Sequence, residues 1–304
     1  MAYRKAILHI GAHKTGTSAL QAFLARNADL LSEQGFCYRP TGSRWPNHHE
    51  MVVNFHHGRS LGPKLLEDLI RDCGERTLLI SSEMLIEPPM DIDRFLRCLD
   101  GYDVRTIAYI RHPGDVLISA FNEAVRSYQL RWTAPIDAGP FPYDPAQFEW
   151  LEAWIEKTDL TLAPYDPRQW AGGSIFSDFL SMIGVDGRGF DYRRENGNES
   201  IAFPLAEALR LVNMTVSTPE QHAAIVAHLR TVECEPGPYP LKPETVEACL
   251  ERMREVLPHY RSLYRPGFQE DFLLQPRYSG AMIAAASAPI SARSAKASES
   301  SAYT

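Results

Sequence analysis

No stretch of this 304-residue sequence reaches the ~18 consecutive apolar residues that a membrane-spanning helix needs. The first apolar run, Ala6 to Ile10, is also too short for the core of a secretory signal. Basic charge is in deficit: 31 Lys and Arg stand against 38 Asp and Glu, a formal net charge of -7. No overall positive field therefore recommends nucleic acid or an anionic membrane surface as a partner. Cysteine is scarce. The five, Cys37, Cys73, Cys98, Cys234 and Cys249, are scattered, odd in number and never in a C-x-x-C pair, which argues against a disulfide framework and a zinc site. They read as small buried thiols in a reducing compartment, and the chain as cytoplasmic. Internal repeats are missing too, and beyond Tyr278 the apolar pattern gives way to Ala, Ser and a few charges. Such a composition cannot bury enough apolar area to offset the entropy of ordering, so one domain over 1–278 and a disordered tail over 279–304 are expected.

What is present is concentrated between Lys5 and Leu24. An apolar run of strand length ends at Ile10, and apolar residues three and four apart begin at Leu20; between them lies Gly11-Ala12-His13-Lys14-Thr15-Gly16-Thr17-Ser18. This is the pattern of a strand, a phosphate loop and a helix. Gly11 and Gly16 free the backbone to turn N–H groups inward, and the helix N-terminus adds partial positive charge. Lys14 supplies the full charge and Thr15, Thr17 and Ser18 the hydroxyls. A Walker A loop has its Lys after the second Gly and a hydroxyl for magnesium, whereas here Lys14 precedes Gly16. That order resembles the 5′-phosphosulfate-binding loop of the sulfotransferases that use 3′-phosphoadenosine 5′-phosphosulfate (PAPS). The resemblance makes Gly11, His13, Lys14, Thr15, Gly16, Thr17 and Ser18 the expected donor-binding set.

A second stretch points the same way. Val104 to Ile110 reads as a strand running into Arg111, and Pro113 suits the first turn of a following helix, on which Ser119 falls two turns beyond Arg111. This resembles the family's 3′-phosphate segment, with Arg111 and Ser119 in the binding roles. A planar guanidinium can donate two parallel hydrogen bonds to a terminal phosphate.

Three residues compete for the role of base. Thr77 to Glu83 reads as a buried strand, and ligands of open parallel sheets sit beyond the carboxyl ends of strands, which favours Glu83. Burial between helices should lift its carboxyl toward the working range. Ser81-Ser82-Glu83 also fits a simple cap for the next turn. His48 and His49 have the better intrinsic pKa, but they follow a Pro- and Asn-containing loop that should be wet. Lys14 would stabilise the leaving phosphate. Further along, a Pro-rich crossing from Thr133 to Pro145, a strand near Leu160 to Tyr165, an amphipathic helix from Ile175 to Ile183 and a polar loop from Arg193 to Ser200 complete the pattern.

Strands alternating with helices imply an α/β fold: a parallel β-sheet flanked by helices, in a P-loop nucleotide-binding, sulfotransferase-like architecture. The resemblance, closest to bacterial carbohydrate-type enzymes, implies a transferase with PAPS as co-substrate and no metal requirement. Its acceptor would be a hydroxyl of a glycan or small molecule. Two alternatives stand beside it: a P-loop kinase-like phosphotransferase, and a catalytically degenerate nucleotide- or glycan-binding member.

Overall fold

The structure is a computed structural model that describes residues 4–42, 46–88, 90–136, 146–193, 200–234 and 241–275. Five strands, β1 (Arg4–His9), β2 (Phe36–Cys37), β3 (Thr77–Ser81), β4 (Tyr102–Ile110) and β5 (Asp159–Pro164), form one sheet in the order β2-β3-β1-β4-β5. Every pairing is parallel. The strand sequences explain this. Ala6-Ile7-Leu8, Leu78-Leu79-Ile80 and Ile107-Ala108-Tyr109-Ile110 are continuous buried runs, the signature of strands covered on both faces. The chain runs from central β1 out to the edge at β2, returns as β3, and crosses to the other side as β4. The order in which strands are added therefore switches sides at β1, and the carboxyl end of β1 becomes the crevice where ligands of such sheets sit.

The helices are α1 (Thr17–Arg26), α2 (Ala28–Glu33), α3 (His49–His56), α4 (Leu61–Cys73), α5 (Ile92–Arg97), α6 (Pro113–Arg126), α7 (Ala146–Ile155), α8 (Ile175–Ile183), α9 (Phe203–Val212), α10 (Pro219–Leu229), α11 (Pro243–Tyr260) and α12 (Asp271–Leu274). Between α1 and α2 stands Asn27, whose side-chain amide donates to Phe23 O at 2.9 Å. Ile175 to Ile183 is helical as expected.

Two compact units divide the chain. One draws on residues within 1–112, 144–199 and 253–273 and holds the whole sheet; the other draws on 113–143, 200–252 and 274–304. The core of the first packs Leu20, Phe23 and Leu24 of α1 against Phe176, Phe179 and Ile183 of α8, with Phe23 and Phe176 stacked at 4.5 Å. The second is centred on Leu117, Phe121 and Val125 of α6, packed with Ala206 and Leu209 of α9. Within it the Asn213 amide nitrogen donates to Val125 O at 2.9 Å.

Two expectations are corrected. Cys37 and Cys73 form a disulfide with Cα atoms 5.4 Å apart, with Cys98, Cys234 and Cys249 outside any disulfide. They meet because β2 pairs with β3, setting Cys37 beside Leu78, while α4 ends just before β3 begins. The second concerns His48 and His49, which are not on a wet loop. His48 is fully buried and His49 opens α3. Residues 137–145 of the Pro-rich crossing, 194–199 of the polar loop and the tail over 279–304 lie outside the described residues.

Candidate functional site

The loop after β1 is fastened to the sheet before it turns into α1. Tyr109 N donates to Gly11 O at 2.6 Å and Ala12 N to Tyr109 O at 3.0 Å, so the ladder to β4 continues past the end of the strand. Gly11, Lys14 and Gly16 then have φ of 105°, 64° and 74°. A lysine in left-handed backbone carries a conformational cost, of order 1–2 kcal/mol for an L-residue, and such costs cluster where a backbone cradle is built. Successive turns of this kind aim N–H groups into a concavity suited to anions, and the first N–H groups of α1 have no partner within the helix. Thr15 is buried and its hydroxyl donates to Ala12 O at 2.6 Å, so that side chain braces the loop while Ser18 stands exposed.

Ends of three other strands close around the loop. A Cβ on Gly11 would lie 3.2 Å from Glu83 Cβ, beyond β3. A Cβ on Gly16 would lie 3.0 Å from the ring of Tyr165, beyond β5. Arg111, at the end of β4, donates from Nη1 to Lys14 O at 2.6 Å and sets its guanidinium 5.0 Å from the centre of the Tyr165 ring. Both glycines therefore admit the close approach of neighbouring chain. Ser119 is half-buried on α6 in the second unit. His13 Nε2 lies 2.5 Å from Glu87 Oε1, which turns its ring to the segment just beyond the 3-10 turn Glu83–Leu85.

Glu83 heads that turn, and Ser82, whose hydroxyl accepts from Met84 N, caps it. The cap and the site coincide. His49 Nε2 lies 3.3 Å from Glu83 Oε1 while His49 Nδ1 is 2.8 Å from Ser82 Oγ. Gln21 Nε2 donates to Glu83 Oε2 at 2.9 Å. Burial pushes the Glu83 carboxyl up, but the hydrogen bond and charge of His49, joined by Gln21, outweigh it and hold the carboxyl at about 2. The expected upward shift is thereby reversed, because donors that favour the ionised form reach both oxygens. His49 is the more open of the pair, with 27% of its side chain exposed against 13% for Glu83.

His48 stands apart from this pair. Its N–H donates to Ser81 O at 3.3 Å and its Nδ1 accepts from Ser81 N at 3.1 Å, which ties the start of α3 to the end of β3. Desolvation lowers its pKa to about 4. His9 behaves likewise: buried between Tyr109 and Phe179, with Nδ1 2.8 Å from Ser81 Oγ, it is lowered to about 4 mainly by desolvation.

The structure thus gathers Gly11, Lys14, Gly16, Glu83, His49 and Arg111 at one end of the sheet, and adds Gln21, Tyr165 and Glu87. Gln21 carried a sequence signal, a polar residue on the apolar stripe Leu20, Phe23, Leu24. Tyr165 carried only its place after a strand. No group of three or more metal-ligating side chains occurs among the described residues.

The fold and site define an α/β chain with a Gly- and Lys-containing loop at the carboxyl end of the central strand of a parallel sheet. No protein-family model and no curated protein matches the sequence. Among solved structures, the chain is similar to the sulfotransferase domain from the curacin biosynthetic pathway, at 13% identity and a TM-score of 0.36, covering 77% of this chain and 100% of that one. It is similar to the sulfotransferase domain from the Synechococcus PCC 7002 olefin synthase at 12% identity and 0.33, over 77% of this chain and 98% of that one. A structure from the PezAT chromosomal toxin-antitoxin system of Streptococcus pneumoniae matches equally, at 12% identity and 0.33, over 76% of this chain and 89% of that one. Likenesses this distant carry no functional weight, so function rests on the residues of the site.

Proposed function

We propose that the chain is a sulfotransferase that moves the sulfuryl group of PAPS to a hydroxyl of a glycan or small-molecule acceptor. The observation that carries this reading is the loop: Lys14 lies inside it, ahead of Gly16, in left-handed backbone, with Arg111 bonded to its carbonyl. The residues fit a phosphosulfate. Gly11 and Gly16 hold positive φ with Glu83 and Tyr165 packed close by, and the loop supplies N–H donors, a helix N-terminus and one ammonium.

The acceptor oxygen attacks sulfur in line, forming a new S–O bond while the bond from sulfur to the 5′-phosphate oxygen breaks. Lys14 and the loop N–H groups take up the charge that develops on the leaving phosphate, and 3′-phosphoadenosine 5′-phosphate departs. The acceptor proton passes to the Glu83–His49 pair. His48, locked to Ser81, serves as scaffold.

Calorimetry with 3′-phosphoadenosine 5′-phosphate in EDTA, and labelled PAPS with a panel of glycans and alcohols, test the reading. Binding that persists in EDTA and label transfer to an acceptor are expected. Lys14→Ala should lower turnover about a hundredfold or more. A strict need for magnesium with preference for ATP would move the chain to the kinase class.

A further inference from the structure

We propose that Gln21 is a positioning residue for the acid–base pair: one buried amide whose N–H sets the Glu83 carboxylate and whose carbonyl, through Asn47, sets His49. This deepens the sulfotransferase reading and rests on it for the reaction, but not for the geometry. Gln21 is 1% exposed on the face of α1 that otherwise presents Leu20, Phe23 and Leu24 to the core. An apolar residue there would avoid desolvation, whereas a buried amide costs about 1–3 kcal/mol unless its groups are bonded. Both its functions are spent on neighbours of the site. Nε2 donates to Glu83 Oε2 at 2.9 Å, and Oε1 accepts from Asn47 Nδ2 at 3.3 Å. Asn47 Oδ1 in turn accepts from the backbone N–H of His49 at 3.0 Å.

The chain of donors fixes every amide. Turning Gln21 over would set its carbonyl against the carboxylate, and turning Asn47 over would set its NH2 against the His49 N–H. Gln21 also stands four residues after Thr17, one turn into the helix that begins at the phosphate loop. The helix that would receive the donor therefore also orients the carboxylate that would receive the acceptor proton. The other titratable groups that bear on Glu83 are His49 of α3, His9 of β1, Tyr38 after β2 and Glu87 of its own turn. Glu87 Oε1 itself lies 2.5 Å from His13 Nε2, and the charge of His49 helps to lower His48.

The test uses the full chain with Gln21→Met, which keeps length and packing but removes both amide functions, and Gln21→Asn, which keeps the amide but withdraws it by one methylene. The first readout is the titration of the His49 ring by NMR, with no nucleotide or acceptor present. Loss of the amide donor leaves Glu83 a stronger acceptor for His49, so the midpoint should move upward in Gln21→Met relative to the parent. The second is single-turnover transfer from labelled PAPS, which should slow roughly tenfold to a hundredfold in both variants with donor affinity retained. An unmoved His49 midpoint in a folded Gln21→Met protein overturns the proposal, whatever the rate does. A moved midpoint in a chain that transfers no sulfate upholds the positioning role and sinks the sulfotransferase reading instead.

Discussion

Gly16 concentrates two demands on one position. Its φ of 74° is left-handed, and a Cβ would meet the Tyr165 ring at 3.0 Å. Gly16→Ala should therefore destabilise the fold by about 1–2 kcal/mol from the backbone alone and weaken 3′-phosphoadenosine 5′-phosphate binding. Thermal unfolding with and without the nucleotide separates the two effects; a variant that binds and melts like the parent would mean the loop has another conformation in solution. The same scale explains Glu83. Burial alone would favour the neutral acid, but His49 and Gln21 occupy its two oxygens, and hydrogen bonds to the ionised form prevail.

At the scale of elements, β2 is two residues long and lies at the sheet edge. So short a strand contributes few ladder bonds, and the Cys37–Cys73 bridge ties it to the end of α4 across a sequence separation of 36. Closing a loop of that length in the unfolded chain stabilises by about 2–4 kcal/mol. Urea unfolding with and without reductant should differ by that amount, and denatured unreduced protein should present only Cys98, Cys234 and Cys249 to a thiol reagent. Equal midpoints would remove the bridge from the stability account. The strand-to-helix passage from β4 into α6 carries Arg111 and Ser119. Replacing either by Ala should weaken 3′-phosphorylated nucleotide by about 1.5–3 kcal/mol more than the analogue lacking that phosphate. Competition calorimetry reads the difference, and equal losses for both nucleotides would make the two residues structural.

For the whole molecule, the buried imidazoles set the response to acid. His9 and His48 are held near 4 in the fold, mainly by desolvation, against about 6.5 in the unfolded chain. As pH falls through 6.5 the unfolded chain takes up protons that the fold refuses, so stability present above that pH is lost between about 6.5 and 4. The loss is on the order of 3 kcal/mol per ring. Glu83, held at about 2, adds a second loss below about 4.5, because its native form must be protonated last. Urea midpoints should fall between about pH 7 and about pH 4.5, and His48→Gln should flatten that fall relative to its own value at neutral pH. A midpoint constant over this range would mean that both rings are protonated in the native state.

The sequence alone determined whatever depends on neighbours along the chain. Continuous apolar runs specified buried parallel strands, Gly11 and Gly16 marked the turn between β1 and α1, and Arg111 was legible because a strand precedes it. Pairings between distant residues were not legible. Gln21 meets Glu83 across 62 positions, Arg111 meets Lys14 across 97, and Cys37 meets Cys73 only because two strands and a helix return to the same edge. Along the chain His48 and His49 stand as equals, and the place of Glu83 at a buried strand end points to a raised pKa. The tertiary structure separated them, because burial, which one residue's identity cannot reveal, decides whether an imidazole is a scaffold or an accessible group. It also decided the ionisation of Glu83, since a carboxyl in a closed site follows the donors brought to it from other elements rather than its own depth.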